Sequence, residues 1–94
     1  MAALPKQRTP VAIAFGNVLR AARTRAGLSQ EALGLACEID RTYVSLLERG
    51  ERAPTLTTLF ALSEQLDVPP ELLVAEARTE MRRLVPTNRQ GARR

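Results

Sequence analysis

Histidine and tryptophan are absent from the 94-residue chain, and cysteine occurs once, as Cys37. With those absences go the histidine-based catalytic triads, the His/Cys zinc clusters and any intramolecular disulfide. Aromatic residues reach only 3%, and the apolar positions are mostly Leu, Ala and Val, a vocabulary that favours helices over a sheet. Uninterrupted apolar stretches are only a few residues long, so neither a membrane span nor a signal peptide is expected, and the protein is predicted to stay in the cytoplasm. What is present is ordinary for a globular domain: 45% hydrophobic and 26% charged residues, in a length that suits one small domain. An all-α fold is expected.

The formal net charge of +4 invites a nucleic-acid reading, but its distribution is uneven. Between Val11 and Glu76 stand six Arg against nine acids, a balance of −3, while the flanks hold eight Lys and Arg against Glu80, a balance of +7. The basicity lies in the ends, so any role in DNA binding for the centre must rest on where its few arginines point.

Turn and cap signals divide the chain into five helical segments. Residues 1–10, with Pro5 and Pro10, and residues 86–94, with Pro86, Asn88 and Gly91, read as flexible arms flanking a domain over 11–85. The first helix, about Val11 to Ala26, puts Phe15, Leu19, Ala22 and Ala26 on one face, and Gly27 stops it. Ser29 is an N-cap for the second helix, Leu28 and Leu33 have the spacing of a hydrophobic staple, and Leu33, Ala36 and Cys37 form the predicted buried face. Asp40 is expected to cap a third helix that Gly50 ends, with Ile39 and Val44 as its staple. Pro54 and Thr55 open a fourth helix with the stripe Leu59, Leu62, Leu66, and Pro69 and Pro70 open a fifth over about 70–85. Cys37 reads as a small buried hydrophobe rather than a redox sensor.

Only Glu38 and Ile39 separate the second and third helices, the spacing of a helix-turn-helix over about 29–50, in which the second member enters the major groove of DNA. The run SQEALGLACEIDRTYVSLLERGERAPTLTTLFALSEQLDVPPELL resembles the Cro and lambdoid-repressor type of helix-turn-helix, also called the XRE family, over about Phe15 to Val74. Its most specific elements are Ser29-Gln30, Ser45 with Leu47-Glu48-Arg49-Gly50, and Pro54, and DRTYVS is similar to the recognition helices of restriction-modification controller proteins. The resemblance implies a five-helix, lambda-repressor-like domain that regulates transcription by binding double-stranded DNA. The sequence departs from the family pattern at Glu38, where Gly is usual in the turn, and at Gly34, where Ala is preferred. Gly rather than Ala at that point should cost ~1 kcal/mol of helix stability.

The helical period turns Val44 and Leu47 inward and Arg41, Thr42, Ser45 and Leu46 outward, with Tyr43 at the edge. Arg41 can reach O6 and N7 of guanine with two parallel hydrogen bonds, and Thr42 suits a phosphate or a thymine methyl group. Tyr43 has two readings, stacking or bonding at the DNA and half-buried packing with a wet hydroxyl. Leu46 could touch only an apolar base edge. Gln30 is, by the resemblance, a contact to the DNA backbone or an outer base, or else only the start of a helix. Arg49 and Arg52 follow in the loop that the fold lays against phosphates. Glu48 faces inward, and the resemblance pairs it with Arg23 as a structural ion pair.

Leu73, Ala77, Met81 and Leu84 form a stripe at intervals of four, four and three. It continues past the family core and predicts the interface of a homodimer, hence an inverted-repeat operator. The carboxylates show no catalytic arrangement, so no enzyme, cofactor, metal or small-molecule ligand is expected. The alternative function is a protein-interaction module of the same fold, such as the antitoxin half of a toxin-antitoxin pair.

Overall fold

Four of the five helices begin where a side chain or a proline relieves the unpaired N–H groups of the first turn. The computed structural model describes residues 8–85, so the tail expected over 86–94, and the expected N-terminal arm as far as residue 7, lie outside the described residues. Helix α1 spans Pro10–Arg25, with Pro10 in its first turn and the Thr9 hydroxyl accepting from Ala12 N at 3.2 Å. It therefore starts one residue before the expected Val11, on residues that composition assigns to the arm. Helix α2, Gln30–Cys37, is capped by Ser29, whose Oγ accepts from Ala32 N at 3.0 Å. Helix α3 covers Arg41–Glu48, α4 covers Leu56–Leu66 behind a Thr55 cap, and α5 covers Pro70–Leu84. These are the five expected helices, and no strand occurs among the described residues.

Asp40 occupies the N-cap of α3 with extended backbone, yet its side chain makes no cap hydrogen bond. Its carbonyl instead accepts from Tyr43 N at 2.9 Å and Val44 N at 3.1 Å. Glu38, standing where the family usually has Gly, holds a left-handed conformation at φ 60° and ψ 41°. There Ile39 N bonds to Gly34 O at 2.9 Å and Glu38 N to Leu35 O at 3.2 Å, the two-bond closure that otherwise favours glycine at this point.

Helix α1 lies along α5 and crosses α3, α2 packs on α3 and α4, and α4 touches α5. The core between them contains Phe15, Val18, Leu19, Ala22, Leu33, Val44, Leu47, Leu59, Leu62, Leu66, Leu73 and Ala77. Three expectations for burial are corrected. Ala26 is the exposed C-cap of α1, Ala36 is exposed and Cys37 is only half-buried. The buried residues of α2 are Leu33 and Gly34, because the turn folds its backbone over Gly34: a Cβ there would lie 2.8 Å from Ile39 O. The small residue is demanded by contact, and alanine would not recover the propensity that glycine forgoes. Helix α1 approaches α3 as closely at Gly16, where a Cβ would meet the carbonyl oxygens of Leu47 and Glu48 at 2.5 and 2.6 Å. No helix among the described residues is long and apolar enough to cross a membrane.

The stripe predicted for a dimer is corrected at its first two members. Leu73 is fully buried and Ala77 nearly so, covered within the same chain where α5 lies on α1. Met81 is half-buried and Leu84 is exposed at the end of α5.

Candidate nucleic-acid interface

Three residues hold the inner side of α3. Val44 and Leu47 are fully buried, and Glu48 follows them inward with its carboxylate shut off from water. That carboxylate accepts Arg23 Nε at 2.5 Å and Nη2 at 3.1 Å, a two-point fork from α1. Gln30 Nε2, at the start of α2, donates to the same carboxylate at 2.9 Å, and Arg20 Nε lies 3.5 Å away. The remaining reach of Arg23 goes to Leu28 O at 2.8 Å, in the loop before α2. One carboxylate thus ties together the three helices that position the turn.

Burial pushes the Glu48 carboxyl up, but the hydrogen bonds from Arg23 and Gln30 and the charges of Arg23 and Arg20 more than offset it, and its pKa falls below the ordinary value. The bond to Glu48 raises the pKa of Arg23 against the opposing effect of burial. Both groups are ionised at neutral pH, and a pair so enclosed is costly to break from one side.

On the opposite side of α3, Arg41 and Thr42 are exposed, while Ser45 and Leu46 are half-buried. Tyr43 is half-buried and packs against the core, which accounts for its ring. Among the described residues, no ion pair engages Arg41. After the helix, Arg49 is exposed and bonds to Ser45 and Glu51, and Arg52 Nη1 donates to Glu51 O at 2.8 Å. Arg8, outside the predicted site, donates from Nη1 to Arg49 O at 2.7 Å. No local pattern announces that contact across 41 positions. Gln30 stands beside this face with its amide nitrogen turned to Glu48. Leu73 and Ala77 lie in the core instead, and no group of three or more His, Cys, Asp or Glu among the described residues could hold a metal ion.

Two short helices joined by a left-handed turn, the second seated on its inner face and carrying polar side chains on its outer one, define a helix-turn-helix protein. The Helix-turn-helix family model matches residues 19–73, more than half the chain. The control protein C.BamHI of Bacillus amyloliquefaciens is 35% identical over 65 residues, which are 68% of this chain and 80% of that protein. The structure of the restriction-modification controller protein C.AhdI from Aeromonas hydrophila superposes with a TM-score of 0.64 at 42% identity, over 66% of this chain and 94% of that one. The clp gene regulator ClgR from Corynebacterium glutamicum gives a TM-score of 0.73 at 27% identity, over 76% of each chain. The chain belongs to the XRE-type helix-turn-helix family and is similar to restriction-modification controller proteins.

Proposed function

We propose that the chain is a sequence-specific, DNA-binding regulator of transcription that acts in the cytoplasm and binds an inverted-repeat operator as a homodimer. The observation that carries this reading is the two-sided character of α3: an inner side fixed by Val44, Leu47 and the Glu48 fork, and an outer side that offers Arg41 and Thr42 to solvent. Arg41 in the first turn reads a guanine edge, Thr42, Ser45 and Leu46 follow the groove, Tyr43 borders it, and Arg49 and Arg52 meet phosphates. Gln30 is a flanking contact that Glu48 orients.

Selection of bound sites from random DNA should return an inverted repeat with half-sites about 34 Å apart, one turn of duplex. Arg41→Ala should then cost about 1–3 kcal/mol per half-site and relax preference at one base pair, whereas Arg52→Ala should weaken all sequences alike. Failure to select any sequence would refute the reading, and a uniform loss for Arg41→Ala would make that residue a phosphate contact.

The dimer is supported chiefly by side chains outside the expected stripe, from which Met81 joins them. Leu56 and Phe60 of α4 and Val74 of α5 are 72%, 59% and 52% exposed and line one largely apolar depression with Leu59 and Pro70, with Glu71 beside them. Val74 also borders an adjoining groove with Val11 and Met81. An apolar surface continuous across two helices marks a partner surface, and two-fold pairing there supplies the second half-site reader. Sedimentation at micromolar concentration should give a dimer for the wild type and a monomer for a Leu56→Asp, Phe60→Asp double variant. A double variant that stays dimeric would move the interface elsewhere.

A further inference from the structure

Ser45 lies on the outward side of α3, and the residue one turn later controls its hydroxyl. Arg49 Nη1 donates to Ser45 Oγ at 2.7 Å, and Arg49 Nε donates to Glu51 Oε2 at 3.1 Å. Arg49 is held in place besides by its own backbone: its N–H bonds to Ser45 O at 3.0 Å, and its carbonyl accepts Arg8 Nη1 at 2.7 Å. The Arg49 side chain is half-exposed, whereas the Glu51 side chain is largely covered. Carboxylate, guanidinium and hydroxyl thus form a chain that ends on the face proposed to read DNA.

A serine hydroxyl has one proton and two acceptor lone pairs. With a cationic donor 2.7 Å from its oxygen, the O–H dipole turns its proton away from the guanidinium, because the opposite orientation would set two positive ends together. One lone pair is taken by the guanidinium and the O–H is turned outward, so the hydroxyl meets the groove first as a donor. In the major groove a donor fits N7 or O6 of guanine, N7 of adenine or O4 of thymine, and is refused by the N4 amino group of cytosine.

We propose that Arg49 and Glu51 are positioning residues that fix Ser45 as a hydrogen-bond donor, so that Ser45 selects acceptor-bearing base edges and discriminates against cytosine. The assignment rests on the DNA-reading role proposed for α3. It gives Arg49 a task in specificity as well as in charge, and it gives an acidic residue in a phosphate-facing loop a reason to be there. Glu51 holds the guanidinium over the serine, so that Arg49 faces the duplex backbone without leaving the hydroxyl.

The experiment compares wild type, Ser45→Ala, Glu51→Gln and the double variant on the selected operator and on operators changed one base pair at a time. Ser45→Ala should lower discrimination at one base pair by about fivefold, as expected for one hydrogen bond. Glu51→Gln should relax the same base pair in the same direction by a smaller factor, with an unchanged melting temperature and an unchanged dependence on salt. In the Ser45→Ala background it should do nothing more. If Glu51→Gln instead tightened binding to every sequence and steepened the salt dependence, Glu51 would be a competitor of phosphate for Arg49 and the assignment would fall. It would fall equally if Glu51→Gln left all operators unaffected, or if its effect persisted at full size without Ser45. A wild type that selects no sequence at all is a different outcome, which removes the DNA-reading role itself.

Discussion

Two glutamates each hold an arginine fork and tie α1 to a neighbour, in opposite surroundings: Glu48 takes its fork from Arg23 of α1, whereas Glu80 takes its fork from Arg83 of its own helix and reaches α1 through Asn17. Glu48 is sealed inside, 0% exposed at its side chain, with Arg23 at 16%. Glu80 of α5 accepts Arg83 Nε at 3.1 Å and Nη2 at 2.7 Å, and Asn17 Nδ2 of α1 at 2.9 Å, but Arg83 is 67% exposed. The bonds to Arg83 and Asn17 bring the Glu80 carboxyl down to about 2, against the opposing effect of burial. Geometry alone would rank the two forks as equals. Water separates them: around Arg83 it screens the attraction and replaces any lost partner, whereas a group left behind beside α3 has no such substitute.

The comparison breaks most visibly if Glu48 is removed. Glu48→Ala leaves the Arg23 guanidinium enclosed and unpaired and releases Gln30, so unfolding stability should fall by roughly 3–5 kcal/mol, measured by denaturant titration. DNA binding should fall only in proportion to the folded fraction. A stability equal to wild type would show that water reaches the Glu48 site as it reaches Glu80.

A second stress on the Glu48 end leaves both forks intact. Gly34→Ala favours helix by propensity, about 1 kcal/mol, but puts a Cβ 2.8 Å from the Ile39 carbonyl oxygen. Overpacking against backbone should win, with a net loss of roughly 1–3 kcal/mol and a lower melting temperature. A raised melting temperature would mean that the turn between α2 and α3 yields without cost.

The smallest effect belongs to the surface fork and is read through pH. A carboxyl whose pKa is lowered on folding stabilises the fold fully above its unfolded value and loses that contribution as pH falls through the folded value. For Glu80 the window runs from 4.5 down to about 2. Glu80→Gln should therefore leave the neutral melting temperature nearly unchanged and slightly flatten the acid decline in that window, and 0.5 M salt, or thereabouts, should erase the difference. Glu48 shares the sign, and Glu48→Gln should flatten the decline more, with little response to salt. Equal salt sensitivity in the two variants would contradict the contrast in burial.

The sequence makes much of the fold legible because its signals are local. Ser29, Thr55 and Pro70 mark helix starts by their own chemistry, and Leu59, Leu62 and Leu66 show one period on one buried face. Errors arise where a local sign has two meanings. Pro10 reads as part of an arm, yet it is the first residue of α1 behind a Thr9 cap. Asp40 has the right type and place for a capping side chain, but the backbone carbonyl alone closes that turn. The intervals of Leu73, Ala77 and Met81 establish a stripe without saying what covers it, and α1 of the same chain takes the first two. The exposed apolar set at Leu56, Phe60 and Val74 escapes notice for the same reason, since only packing reveals which leucines are left over. For the candidate site, periodicity separates the two sides of α3. The contact of Arg8 with Arg49 and the chain from Glu51 to Ser45 depend on how a loop closes, which no spacing rule describes.

The close approaches at Gly16 and Gly34 have a consequence for inheritance. Helix α3 rests on backbone at both ends, with α1 against the carbonyls of Leu47 and Glu48 and α2 against the turn that leads into Arg41. Its seating is thereby written into two glycines and the inward residues, while the exposed Arg41 and Thr42 take little part in it. A lineage built on this frame can exchange those outward letters one at a time and acquire a new operator without relearning how to fold, in the manner of a key whose bow and shoulder stay constant while its teeth are recut.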